Sequence, residues 1–123
     1  MGSRILIVDD EPNIVTSLEF LMRRSGHETA VARDGDEALA AVASFRPDLV
    51  LLDVALPHRD GFEVCQQLRA DGWDALKILM LTAKGREVEV AKGLAVGADA
   101  YVTKPFSTRE LVEAVTNLLA ADR

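Results

Sequence analysis

A handful of side chains in this chain could share one piece of chemistry. They are the paired acids Asp9 and Asp10, the acid Asp53, the hydroxyl of Thr82 and the amine of Lys104. Carboxylates drawn together repel, at a cost of about 4 kcal/mol per close pair at an effective dielectric near 20. Such a cluster calls for a cation. An all-oxygen donor set without histidine or cysteine selects a hard ion, and Mg2+ accepts few carboxylates while keeping several waters. Lys104 would add a fixed positive charge with three N–H donors. A carboxylate ringed by Mg2+, an ammonium and a hydroxyl suits a phosphoryl group, whose transfer is mainly positioning and charge neutralisation. The carboxylate can itself be the nucleophile, giving an acyl phosphate. Each residue also has a plainer role. Asp9 and Asp10 favour a helix N-terminus, Asp53 and Thr82 could cap or solubilise loops, and Lys104 could be a solvated charge.

These residues can meet only if the elements bring them together. Leu49-Val50-Leu51-Leu52 is an apolar run of the kind buried on both faces of a parallel sheet, and it stops on Asp53. Pro57 and Gly61 then take the chain out through a loop, so Asp53 is expected to face solvent. Arg4 to Val8 is a second short strand, ending in Asp9-Asp10-Glu11. Pro12 suits a first helical turn, Ile14, Leu18, Leu21 and Met22 recur at helical spacing, and Gly26 ends that helix. His27 to Ala32 is a weaker strand, Asp34-Gly35 a turn, and Ala38, Ala41, Val42 and Phe45 mark a second helix that Pro47 closes. A third helix carries Phe62, Cys65 and Leu68 inward and Gln66, Gln67 and Arg69 outward. Lys77 to Thr82 is a strand, and Glu87 to Val96 a helix expected to face inward through Ala91, Leu94 and Ala95. Poor in large apolar residues and holding Gly93, that helix should be the least firmly seated. Ala100 to Thr103 is the last strand. The helix from Thr108 has the clearest stripe, at Leu111, Val112, Val115, Leu118 and Leu119.

Five strands alternating with five helices predict a single doubly wound α/β unit, a parallel sheet covered on both faces through right-handed crossovers. In such a sheet ligands bind outside the carboxyl ends of the strands, where the residues named above would converge. At 123 residues the chain fits one domain, 1–123, without repeats or linkers. A net charge of −6 argues against a nucleic-acid surface or attraction to anionic lipid. Cys65 is the sole cysteine, so no intramolecular disulfide forms, and its neighbours suggest a small buried hydrophobe. With no signal peptide and no membrane-length apolar run, a cytoplasmic setting is expected.

In sequence the chain resembles the receiver domain of two-component response regulators, with a flavodoxin-like fold. The resemblance rests on Ile5-Leu6-Ile7-Val8-Asp9-Asp10-Glu11, on Leu51-Leu52-Asp53-Val54 with Leu56-Pro57 and Asp60-Gly61, and on Leu81-Thr82-Ala83. It continues through Gly97-Ala98-Asp99 and Tyr101 to Lys104-Pro105-Phe106, so it spans essentially the whole chain. It implies strand order 2-1-3-4-5 and Asp53 as phosphoacceptor. Asp10, Asp53 and the backbone carbonyl of Ala55 would bind Mg2+, with Asp9 assisting through water. Lys104 would pair with phosphoryl oxygens, and Thr82 would bond one after modification while Tyr101 turns from exposed to buried. The Lys104-Pro105 bond is commonly cis in similar proteins. The implied function is a phosphorylation-activated switch, not a turnover enzyme. A sensor histidine kinase or phosphotransfer protein supplies the phosphoryl group, and the surface of the fourth helix, fifth strand and fifth helix controls a downstream protein or fused output domain.

Some positions depart from the family pattern. Transcription-factor receivers tend to have a second acid where Ala100 stands and arginines near Ala114 and Ala121, so a monomer or weak phosphorylation-dependent homodimer is expected. No segment here could read bases, leaving either a single-domain regulator or the receiver of a longer DNA-binding one. Ala55 and Lys84 flank the expected phosphoryl site and would tune its hydrolysis. Three rival readings fit less well. An FMN binder would want a phosphate-cradling loop where Asp9-Asp10-Glu11 would repel it. An aspartate-nucleophile phosphohydrolase would carry an acid where Ala55 stands. A receiver-like scaffold without phosphorylation would have no need of Asp10, Asp53, Thr82 and Lys104.

Overall fold

The computed structural model of the chain describes residues 2–83 and 87–121. Its elements run β1 (Arg4–Val8), α1 (Pro12–Arg24), β2 (Glu28–Ala32), α2 (Gly35–Phe45), β3 (Leu49–Asp53), α3 (Gly61–Ala70), β4 (Lys77–Ala83), α4 (Glu87–Ala95), β5 (Ala100–Lys104) and α5 (Thr108–Ala120). All strand pairs are parallel, in the order β2-β1-β3-β4-β5. The expected architecture is therefore the observed one, and the expected boundaries hold to within a residue or two.

Parallel strands covered on both faces must be apolar throughout, and β3 is buried along its whole length. Side chains alternate between two cores. Leu6, Val8, Val50, Leu52, Ile78 and Met80 pack toward α2 and α3. Ile5, Ile7, Leu49, Leu51, Leu79, Leu81 and Val102 pack toward α1 and α5. Each fully buried leucine or isoleucine contributes about 1.5–3 kcal/mol of transfer free energy.

Local signals set the helix ends. Pro12 opens α1, and Asp34 caps α2 by accepting from Glu37 N–H at 2.8 Å. Asp34-Gly35 is thus a cap and a first helical residue rather than a free-standing turn. Asp60 and Glu63 form a reciprocal capping box on α3, and Ser107 caps α5. Gly61 is required where α3 leaves the sheet. A Cβ there would lie 2.5 Å from the Asp53 carbonyl oxygen.

Two expectations about helix faces are overturned. Ala91, Leu94 and Ala95 are exposed, and α4 turns Gly93 onto the sheet instead. Without a side chain Gly93 lets the helix approach closely; a Cβ there would meet Met80 Sδ at 3.2 Å. Val90, Gly93 and Val96 follow the three-residue spacing of one helix face, which the alanines had obscured.

Arg69 is the second. Its guanidinium turns in and donates to the carbonyls of Trp73, Leu76 and Gly97, and to Asp99 Oδ2 at 2.9 Å. Asp99 Oδ2 also accepts from Ile78 N–H at 2.8 Å. One cation thereby satisfies carbonyls from the end of α3, the approach to β4 and the turn after α4, groups that would otherwise be costly to bury. Arg69→Met should lower the unfolding free energy by about 3 kcal/mol, because it removes the cation beside the Asp99 carboxylate and the donor to the carbonyls of Trp73, Leu76 and Gly97. Urea denaturation of the two proteins measures this, and a change below about 1 kcal/mol would contradict the clamp.

Candidate phosphoacceptor site

The sheet register builds the site. Val8 is level with Leu52, and Asp53 with Leu81, so Asp9 and Asp53 fall side by side one step beyond β1 and at the end of β3. Both follow the alternation of Leu81 and Val102 toward the α1 and α5 side, and Lys104 lies two residues beyond Val102 on that same side. Lys104 Nζ donates to Asp9 Oδ2 at 3.1 Å and lies 3.3 Å from Asp53 Oδ2. The Lys104-Pro105 peptide is cis. Thr82 has the opposite alternation. It borders a small apolar crevice together with Val54, Met80, Gly93, Leu94 and Tyr101.

Asp53 does not face solvent as the sequence suggested. It is 7% exposed, and Asp9 is fully buried. Asp53 ends a central strand, with β1 and β4 on either side and the turn at Ala55 folding back over it. Ala55 N–H donates to Asp53 Oδ1 at 3.3 Å. Asp9 Oδ1 accepts from Glu11 N–H at 2.9 Å, fixing the start of α1 as its acidic residues implied. Asp10 is exposed, as is Tyr101.

Burial pushes the Asp53 carboxyl up to about 6, with the Asp9 charge adding to the rise and Lys104 and the Ala55 N–H holding it back. Lys104 is held above the usual lysine range: burial opposes its charge, but Asp53 and Asp9 outweigh that cost. One ammonium thus serves two carboxylates and leaves a surplus of negative charge. Asp9, Asp10 and Asp53 each offer an oxygen, and these lie within 4.8 Å of one another. An all-carboxylate set of this kind fits a hard divalent cation such as Mg2+.

The structure brings Asp9, Asp53 and Lys104 into direct contact and sets Asp10 beside them. It places Thr82 at the adjoining strand end and Tyr101 across the crevice from it. Lys84 lies outside the described residues. Sequence reasoning missed Lys92, whose ammonium sits over the Phe62 ring at 4.6 Å and which lines a cavity beside Asp53. Nothing in helical spacing marks a lysine on an exposed face as a neighbour of a strand end. Cys65 behaves as expected; it is buried, and burial pushes its thiol up to about 11.

Comparison with known proteins agrees with this geometry. The family described as the response regulator receiver domain matches residues 5–116. The chain belongs to that family. It is 50% identical over 119 residues to the alkaline phosphatase synthesis transcriptional regulatory protein PhoP of Bacillus subtilis, covering 97% of this chain and 49% of PhoP. It is 51% identical over 115 residues to the DNA-binding response regulator MtrA of Mycolicibacterium smegmatis, covering 94% of this chain and 50% of MtrA. The chain therefore spans about half the length of these curated relatives. Among solved structures, a candidate response regulator from Chloroflexus aurantiacus superposes with a TM-score of 0.94 at 38% identity, covering 98% of this chain and all of that one. The chemotaxis response regulator CheY4 of Vibrio cholerae gives 0.89 at 31% identity, covering 96% and 99%. The chain is the receiver domain of a two-component response regulator. No described helix of this receiver is long and apolar enough to cross a membrane.

The raised Asp53 carboxyl makes a pH prediction. Its ordinary value is 3.8, so between pH 4 and 6 the folded receiver holds a proton that the unfolded chain releases. In chelator, this group's contribution is most favourable at low pH and is lost as pH rises through about 6. Asp53→Asn should therefore be more stable than the parent by about 1–3 kcal/mol at pH 7.5, with the gap closing toward pH 4. Urea unfolding at the two pH values checks both the sign and the convergence.

Proposed function

We propose that this receiver is a phosphorylation-operated switch with Asp53 as acceptor and a histidine kinase or phosphotransfer protein as donor. The observation that carries it is the single ammonium of Lys104 between the carboxylates of Asp9 and Asp53, with Asp10 completing an acidic triad. At neutral pH an Asp53 carboxyl near 6 is mostly ionised and nucleophilic. One of its oxygens bonds to phosphorus as the donor's P–N bond breaks. The electron pair stays on the donor imidazole.

Mg2+, held by Asp10, Asp53 and the Ala55 carbonyl, would neutralise charge on the phosphoryl oxygens. Asp9 is suited to act through water, since each of its oxygens already accepts a bond. Lys104 pairs with a phosphoryl oxygen, exchanging part of its contact with Asp53. Thr82 Oγ1 bonds another, which draws the end of β4 inward, and Tyr101 turns from its exposed position into the crevice it shares with Thr82. The surface of α4, β5 and α5 thereby changes shape as a local charge change is relayed into packing. The exposed Leu94 belongs to that surface.

This receiver works as a self-modifying switch rather than a turnover enzyme, and Ala55 offers no acid or base to speed hydrolysis. Its output is a protein contact or a fused domain. The named activities of PhoP and MtrA, each about twice as long, favour a fused DNA-binding output. Asp99 is engaged by Arg69 and Ile78 N–H, which supports a monomer or weak phosphorylation-dependent homodimer over one made by paired charges. We assign it to the cytoplasm.

Incubation with Mg2+ and acetyl phosphate should add one phosphoryl group by intact mass. The gain should vanish in Asp53→Ala and in chelator. Lys104→Ala should slow it by about tenfold or more. Failure of the parent with both acetyl phosphate and phosphoramidate, together with no Mg2+ binding by titration calorimetry, would sink the proposal.

A further inference from the structure

The loop from the acceptor strand to α3, residues 54–60, carries Ala55 and is held from the side by α2. Two backbone bonds shape it. Gly61 N–H donates to the Val54 carbonyl at 2.8 Å, closing the loop, and Arg59 N–H donates to the Pro57 carbonyl at 2.8 Å. Between Pro57 and Arg59, His58 takes a left-handed conformation, with φ of 69°, which is costly for a residue bearing a side chain. Leu56 packs on the core beneath α2 and α3. The sideways contact falls to Arg59. A Cβ on Gly35, the first residue of α2, would lie 2.5 Å from Arg59 Cβ and 3.1 Å from the Arg59 carbonyl oxygen. Gly35 is buried within the first helical turn, so close approach and not backbone freedom calls for glycine there. Arg59 Nε also donates to Asp36 Oδ1 at 2.8 Å, but both side chains are well exposed, and such a pair adds little.

We propose that the contact between Gly35 and Arg59 sets the Ala55 carbonyl in place for a divalent cation, making both of them positioning residues for the metal site. The inference rests on the reading of Asp53 as a metal-dependent phosphoacceptor with the Ala55 carbonyl among the ligands. Ala55 precedes Arg59 in a short loop tied at both ends, so a displacement of Arg59 reaches its peptide with little slack. Mg2+ tolerates little of that, because it demands near-ideal octahedral geometry. A methyl on Gly35 must push something aside. The Asp34 cap holds α2, as do Ala38 and Val42 in the core, whereas Ala55, Pro57 and His58 are exposed. The loop is the side that gives. The same Cβ would meet Val64 Cγ2 at 3.1 Å, so plain packing of α2 on α3 is the rival account.

The experiment measures Mg2+ affinity by titration calorimetry, with urea midpoints in chelator, for the parent and four variants. Gly35→Ala should weaken Mg2+ binding about tenfold, as loss of support behind a metal ligand does. Arg59→Ala keeps Cβ and removes only the ion pair, and should stay within about twofold of the parent. Arg59→Gly removes the contact from the other side and should cost about threefold. Combining Gly35→Ala with Arg59→Gly returns one Cβ to the gap between the two backbones, and should bring affinity back to within about twofold of the parent. A folded Gly35→Ala protein that binds Mg2+ like the parent overturns the proposal. So does a double variant that binds no better than Arg59→Gly, since the loss then runs through Val64. An equal loss in Arg59→Ala would assign the effect to the ion pair and likewise overturn the contact. If Gly35→Ala does not fold, Arg59→Gly against the double variant decides alone. A parent that binds no Mg2+ is instead a failure of the metal-site reading, and it shows before any substitution is made.

Discussion

The site depends on one ammonium shared between two buried carboxylates. Asp9 and Asp53 are neighbours because β1 and β3 are hydrogen-bonded neighbours in register, and neither can move away without leaving the sheet. Two like charges at that spacing would strain the fold if left alone. Lys104 relieves the strain only because β5 sits one strand beyond β4 and projects its last residue over the same edge. The relief is partial. Asp53 still titrates near 6, well above an ordinary aspartate, so the metal-free site retains an unmet demand for positive charge. An acidic cluster with that surplus of negative charge suits a divalent cation.

The surroundings divide into a rigid half and a yielding half. β1, β3 and β4 form a floor of fully buried aliphatic side chains, and the capping box at Asp60 pins α3 close against the end of β3. The Arg69–Asp99 clamp ties α3 to the turn after α4. On the other side α4 presents a glycine to the sheet and leaves Leu94 in solvent, while Tyr101 stands half exposed at the mouth of a crevice bordered by Thr82. A charge change at Asp53 therefore meets resistance from the β3–α3 side. The end of β4, α4 and β5 is where packing can give way, and this fits the surface proposed for the output.

Much of the fold was legible in the sequence because hydrophobic period, turn residues and strand-terminal acids all pointed the same way. The alternation of apolar runs with amphipathic stretches fixed the number, type and order of elements. Asp9, Asp10, Asp53, Thr82 and Lys104 could be picked out because each ends or follows a strand, and strand ends are where such sheets hold ligands. Even the α3 start was marked, by Asp60-Gly61 ahead of Phe62.

Only the tertiary structure decided how these residues are seated. Sequence period says which residues share a face but not how closely two elements approach, so it could not tell that Gly93 rather than Ala91 or Leu94 meets the sheet. Burial at a strand end depends on the neighbouring strands and the loops that rise around it, so Asp53 emerged covered where a lone loop acid would be wet. Arg69 looked like a surface charge because its partners, the carbonyls near Trp73, Leu76 and Gly97 and the carboxylate of Asp99, lie up to thirty positions away. Lys92 came beside the site by the same route, through the packing of α4 across α3. Local chemistry determined the elements and marked the polar groups at the strand ends; distances between groups far apart in the chain, and hence their charge balance, belong to packing alone.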